Sequence, residues 1–238
     1  MEPPAGPARI PLSARVAAEF IGTAALVAVV VGSGIQATEL SNDVGVQLLA
    51  NALATVFGLG VLIALFGPVS GAHFNPVVTL AEWWTQRRAG REGVTTRELP
   101  AYLAAQFTGA VGGAILADAM FDLPLVEWSA KDRDAGHLLL AEVVATAGLI
   151  MLIFGLARTA RLHFAPVAVA SYIGAAYWFT SSTSFANPAV TVGRAFSDTF
   201  AGIAPGSVPG FIAAQLVGAV VGLGLVAVVF VRTRKAAV

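Results

Sequence analysis

The sequence predicts an all-α integral membrane protein with six transmembrane helices and two re-entrant half-helices, arranged as an inverted 3+3 repeat. Three observations predict it. The 238 residues are 57% hydrophobic and only 12% charged, whereas a soluble domain carries about a quarter charged residues, so the apolar surplus needs lipid. Six stretches are long and apolar enough for a bilayer core that about 20 helical residues cross. Three segments recur in the same order in the two halves: AEFIGTA with AEVVATA, HFNPVVTL with FANPAVTV, and YLAAQFTGAVGG with FIAAQLVGAVVG.

The elements follow in order. Residues 1–14, MEPPAGPARIPLSA, lack an apolar core and read as a disordered tail, not a signal peptide. The six spans lie near 16–34, 44–66, 100–120, 137–157, 166–181 and 208–231, each with Pro, Gly or a Ser/Thr run beside it. Between the second and third, and between the fifth and sixth, lie segments too short to span, 75–84 and 187–196. Both begin with Asn-Pro, and Pro suits the first turn of a helix, so both are expected to be half-helices. This divides the chain into a tail (1–14), a first repeat (15–121), a connecting loop (122–136), a second repeat (137–232) and a tail (233–238). Each repeat holds an odd number of spans, so the second copy enters the membrane from the opposite side. Of the 14 Lys and Arg residues, all but Lys131, Arg133 and Arg194 fall on the side of the N-terminus. A cell (inner) membrane location with both termini cytoplasmic is therefore expected.

Several function classes drop out. The formal net charge is zero, so nothing points to nucleic acid. There is no cysteine, which removes disulfides, thiolate metal sites and thiol catalysis. No metal cluster, activated nucleophile or phosphate loop is evident, so no enzyme activity, catalytic residue, metal or cofactor is expected.

The paired Asn-Pro elements, Asn75-Pro76-Val77 and Asn187-Pro188-Ala189, carry the functional signal. Irregular backbone at membrane depth survives only where protein buries it or where it lines a wet cavity. Two half-helices meeting N-terminus to N-terminus would aim two positive dipole ends at one spot and repel cations. Asn75 and Asn187 would cap them and offer amide N–H donors to a passing oxygen. The approaches, 71–74 and 182–186, would supply carbonyl acceptors. The sum is a path for small neutral polar solutes that refuses ions. Glu19 and Glu142 sit at matching points inside spanning helices, where an ionisable group is costly. Either they relay protons, as in a secondary transporter, or each carboxylate anchors the re-entrant loop of its own half. Their equivalence by repeat favours the anchor.

SGAHFNPVVT, FANPAVT, the Glu19/Glu142 pair and the AAQ repeat at Gln106 and Gln215 resemble the aquaporin and glycerol-channel superfamily, the major intrinsic proteins. The resemblance implies six helices plus two half-helices, a homotetramer in the lipid bilayer and one pore per subunit. It also implies a selectivity filter at Thr55, Ala175, Ser184 and Val190, with Gly174 the alternative to Ala175. Relatives usually carry Arg where this chain has Val190, and Ala where it has Val77. A filter without aromatic, His or cation would be wide. The set most resembles bacterial members encoded beside arsenic-resistance genes, and implies glycerol-like polyols, arsenite and other neutral metalloid species, and water as solutes. A strict water channel is the alternative. His73 is expected in the inner vestibule. Arg194 follows Val190 by one helical turn: either it stands in for the absent filter cation in the outer vestibule, or it pairs with Asp198, and the spacing favours the pair.

Overall fold

The structure, a computed structural model, describes residues 10–90 and 93–230. Its α-helices are α1 (Leu12–Leu40), α2 (Val44–Ser70), α3 (Pro76–Ala89), α4 (Leu99–Met120), α5 (Gly136–Arg158), α6 (Ala165–Phe179), α7 (Pro188–Gly193) and α8 (Val208–Val229). Single 3-10 turns cover Leu162–Phe164, Arg194–Phe196 and Pro205–Ser207. Six helices, extended in two cases by these turns, are long and apolar enough to cross a membrane. The chain is thus a multi-pass membrane protein, with α3 and α7 as the short elements between spans.

The boundaries depart from the sequence reading in instructive places. Helix α1 begins at Leu12, so the last residues of the expected tail are helical. Arg15 fixes this end: its Nε–H donates to the Ile10 carbonyl at 3.1 Å and its guanidinium pairs with Glu98 ahead of α4. Helix α3 runs on to Ala89 because Arg87 and Arg88 lie in its last turn and Gly90 caps it in the left-handed conformation. Helix α7 stops at Gly193 and tightens into the Arg194–Phe196 turn, and α6 ends at Phe179. The end of the sixth span at 231, the tail 233–238 and residues 1–9 of the first tail lie outside the described residues.

Glycine sets the closest helix contacts. A Cβ on Gly109 of α4 would fall 2.5 Å from the Phe20 carbonyl oxygen of α1, and one on Gly218 of α8 would fall 2.6 Å from that of Val143 on α5. Neither pair of backbones can approach with a side chain between them, which is how small residues work in membrane bundles. The α1–α4 and α5–α8 contacts are therefore equivalent partners in the two halves.

Helix α2 shows how a helix apolar all round chooses its faces. Asn51, Thr55, Leu59 and Ile63, spaced by four, are buried, whereas Phe57, Val61 and Leu65 on the opposite side are more than 60% exposed. Exposed apolar stripes of this kind need a nonaqueous neighbour, while the polar residues turn inward.

A cavity through the two half-helices: the candidate functional site

The loops leading into α3 and α7 adopt backbone that side chains rarely accept. Ala72 and Phe74 have φ near +49° and +48°, and Thr183, Ser184 and Ala186 have φ of +60°, +49° and +47°. Such residues cost about 1–2 kcal/mol each, so something must hold them. The holder in each half is a buried carboxylate.

Glu19 on α1 is fully buried and accepts from the backbone N–H of His73 (2.9 Å) and Phe74 (2.7 Å), from the Ser70 hydroxyl (2.6 Å) and from Gln106 Nε2 (2.8 Å). Glu142 on α5 accepts from the N–H of Phe185 (2.9 Å) and Ala186 (2.8 Å) and from Gln215 Nε2 (2.7 Å). Gln106 and Gln215 each donate again, to Thr79 and Thr191, whose hydroxyls donate to the Asn75 and Asn187 carbonyls. A chain of hydrogen bonds thus runs from each carboxylate to the start of the half-helix in its own half.

The two half-helices meet at their N-termini through a reciprocal exchange. Asn75 Oδ1 accepts from the Val77 N–H, and its Nδ2 donates 2.8 Å to the Ala186 carbonyl. Asn187 Oδ1 accepts from the N–H of Ala189 and Val190, and its Nδ2 donates 2.7 Å to the Phe74 carbonyl. Pro76 and Pro188 occupy the first helical position of α3 and α7, and Val77 and Ala189 beside them are fully buried. An amide nitrogen carries two hydrogens, so each Asn keeps a donor beyond its bond to the opposite loop.

Both asparagines line one cavity of about 630 Å³. It extends from Trp84 and Arg158, past Ala72, His73, Asn75 and Asn187, to Thr55, Tyr177, Ser184, Val190 and Arg194. The Ala72 and His73 carbonyls accept no hydrogen bond among the described residues, and both residues line this cavity.

The structure brings Thr55, Ser184 and Val190 to the cavity wall but not Ala175. Ala175 is exposed on the outer side of α6, and Gly174 packs on Val56. The cavity-lining stripe of α6 is Ala165, Val169, Ile173 and Tyr177, again spaced by four. Tyr177 is the ring the sequence reading lacked: its hydroxyl lies 3.2 Å from the Thr55 hydroxyl across the passage wall. Tyr177 thus puts an aromatic ring on the cavity wall beside Thr55.

Arg194 also departs from the favoured reading. It makes no ion pair with Asp198 among the described residues. The Asp198 carboxylate instead accepts from the Ser129 hydroxyl and the Ala130 N–H. Arg194 is only 3% exposed, donates from Nε to the Ala201 carbonyl and lies 3.4 Å from the centre of the Phe185 ring. A second buried guanidinium, Arg133 in the connecting loop, donates to the Gly202 and Ser182 carbonyls and lies 4.9 Å from the same ring. Lys131 completes the cationic group. Although the residue as a whole is exposed, partial desolvation at Phe200 and the charges of Arg133 and Arg194 push its ammonium down to about 8.

At the other end His73 is clamped. Its Nδ1 lies 3.1 Å from the Thr79 hydroxyl, and its Nε2 lies 2.9 Å from a Glu82 carboxylate oxygen. Glu82 and Tyr177 were not singled out in the sequence, although Tyr177 stands two residues from Ala175.

The sequence profile of the family described as "Major intrinsic protein" matches residues 8–184. A relative from Rhizobium meliloti, "Aquaglyceroporin AqpS", is 48% identical over 90% of this chain and 89% of its own length. "Probable aquaporin AqpM" of Archaeoglobus fulgidus is 28% identical over 81% of this chain and 86% of its own. Among solved structures, the aquaglyceroporin from Plasmodium falciparum superposes with a TM-score of 0.64 at 20% identity, covering 93% of this chain and 98% of that one. At that identity the superposition speaks for the fold alone.

Proposed function

The chain belongs to the major intrinsic protein family of membrane channels, and from that premise we propose that it is a passive transmembrane channel for small uncharged polar solutes. The solutes are glycerol-like polyols, arsenite and related neutral metalloid hydroxides, and water. The observation that carries this reading is the reciprocal Asn75–Ala186 and Asn187–Phe74 exchange beside the cavity. It sets two helix N-termini against each other and leaves amide donors for a solute oxygen, opposite unpaired carbonyls. Positive partial charge converging on that junction excludes cations. A neutral triol can exchange its hydration for these donors and acceptors, and an ion cannot.

The resident filter in this reading is Thr55, Tyr177, Ser184 and Val190, with Asn75 and Asn187 at the junction, His73 at one vestibule and Arg194 at the other. Glu19 and Glu142 serve as anchors. Each already accepts three or more hydrogen bonds, which leaves little capacity for proton relay. The assembly is a homotetramer in the cell (inner) membrane, with both termini on the cytoplasmic, Lys- and Arg-rich side.

A strict water channel is the second reading, favoured by the Tyr177–Thr55 contact, which sets an aromatic ring on the cavity wall beside Thr55. Stopped-flow light scattering of proteoliposomes with water, glycerol and arsenite separates the two. Rapid glycerol and arsenite uptake is expected. Water flux with glycerol exclusion would replace the proposal by the second reading.

A further inference from the structure

The loops that lead into α3 and α7 are held alike except at one carbonyl. Ser70 and Ser182 each stand five residues before their asparagine. The Ser70 carbonyl accepts from the Tyr102 hydroxyl of α4 at 3.1 Å. Phe211 takes the matching place on α8, heading FIAAQ where Tyr102 heads YLAAQ, and it has no hydroxyl to give. The rings themselves keep the pattern: Tyr102 lies 5.8 Å from His73, and Phe211 lies 5.1 Å from Phe185. The donor that Phe211 lacks comes from outside the repeated segments. Arg133, only 8% exposed, donates from Nη1 to the Ser182 carbonyl at 3.3 Å and from Nε to the Gly202 carbonyl at 3.1 Å. Its guanidinium lies 4.9 Å from the Phe185 ring.

The connecting loop aims Arg133 inward. The Ser129 N–H donates to the Ala195 carbonyl at 3.1 Å, the Lys131 carbonyl accepts from the Ala204 N–H at 2.8 Å, and the Arg133 N–H donates to the Ser207 hydroxyl at 2.8 Å. What the side chain holds is costly backbone. Just beyond the Ser182 carbonyl, Thr183, Ser184 and Ala186 all have positive φ, and Ser184 lies on the cavity wall. Among the described residues no other donor reaches the Ser182 carbonyl, and a buried carbonyl left without one costs free energy.

Building on the channel reading, we propose that Arg133 is a positioning residue for solute passage. It gives Ser182 the donor that Phe211 lacks, and so fixes the strained loop and the passage wall that the loop forms at Ser184. Arg133 is not itself among the cavity-lining residues, so it acts through Ser182 and not on a solute directly. Glycerol, with three hydroxyl groups, must meet several donors and acceptors at set spacings. Water has one oxygen and tolerates their displacement better. A loosened wall therefore slows glycerol more than water.

The test measures glycerol and water permeability of variants in proteoliposomes. Arg133→Met removes both donated bonds and keeps an apolar stem beside Phe185. The glycerol-to-water ratio is expected to fall about threefold, within what one hydrogen bond produces in a rate. Adding Phe211→Tyr to Arg133→Met supplies a hydroxyl at the place Tyr102 has in the first half, and should return the ratio to that of the unaltered channel. An unchanged ratio in Arg133→Met overturns the proposal, whether both fluxes persist or fall together; the second case marks a residue needed for folding only. A fallen ratio that Phe211→Tyr does not repair also overturns it, because the effect would not then run through Ser182. If Arg133→Met does not fold, the double variant is expected to fold and to keep the unaltered ratio, and its failure to do either overturns the proposal. The channel reading is tested apart from this, on the unaltered protein: if that passes neither solute, the channel reading fails before any variant is compared.

Discussion

Residues 70–82 and 182–194 are built on one plan and end in opposite chemistries. In both, a serine hydroxyl caps the loop, taking the N–H of Ala72 or Ser184. In both, a glutamate from a neighbouring helix takes two consecutive backbone N–H groups, and a Gln–Thr pair ties that glutamate to the half-helix. The side chains facing the mouths then diverge. Two residues before its asparagine the first half has His73 and the second has Phe185; seven residues after, the first has Glu82 and the second Arg194. One mouth thus carries a His–Glu pair and the other an arginine stacked on a ring. The repeat keeps what holds strained backbone in place, and varies the side chains at the two ends of the cavity.

The scaffold half of this comparison is the part whose loss should cost most. Glu19→Ala and Glu142→Ala each leave two loop N–H groups and one of a glutamine's two amide hydrogens unsatisfied in a buried site, a loss of about 3 kcal/mol or more. Thermal unfolding in detergent should show both strongly destabilised, Glu19→Ala the more so because it also loses the Ser70 hydroxyl. Little change in either would remove the carboxylates from the account of loop strain. Next come the asparagines. Asn75→Ala and Asn187→Ala lose a cap and a cross-loop bond, about 2 kcal/mol. Asn187→Ala should lose more, since it caps two N–H groups where Asn75 caps one. Equal melting shifts would show that the cross-loop bond dominates.

The mouths should give smaller effects. Glu82→Leu leaves His73 with Thr79 alone and should cost about 1 kcal/mol, read as a modest melting shift. Lys131 should give the smallest. Its ammonium sits at about 8 in the folded protein against an ordinary 10.5. The folded state therefore binds this proton less tightly than the unfolded chain, and stability should rise with pH between these two values. Lys131→Met should flatten that rise and be slightly more stable at neutral pH. A steeper rise in the variant would contradict the assignment.

Much of the scaffold was legible because it is encoded locally and twice. Asn-Pro before a short apolar run, and a glutamate at the same place in two spans, survive without knowledge of packing. The mouths were less so. The Arg194–Asp198 pair assumed that an α-helix continues to 198, which would place the two on one face. The helix instead tightens to a 3-10 turn at Arg194–Phe196 and Ser197 is extended, with φ of −134°, so the residues diverge. Ala175 follows only from the resemblance, which does not say which face of a helix meets a cavity. The face of α6 that meets the cavity is fixed by which side of the helix packs on α2, and that selects Ile173 and Tyr177. Arg133 reaches the Phe185 ring from a loop more than forty residues away, a contact with no local signal.

In a passive channel, the junction of two half-helices passes neutral solutes down their gradient and carries no charge. Glycerol flux into proteoliposomes, measured with and without an imposed membrane potential and proton or sodium gradient, tests it most directly. The same flux is expected in every condition, ending at equal concentrations inside and out. Accumulation of glycerol above the external concentration, or a flux that follows the potential, would contradict it.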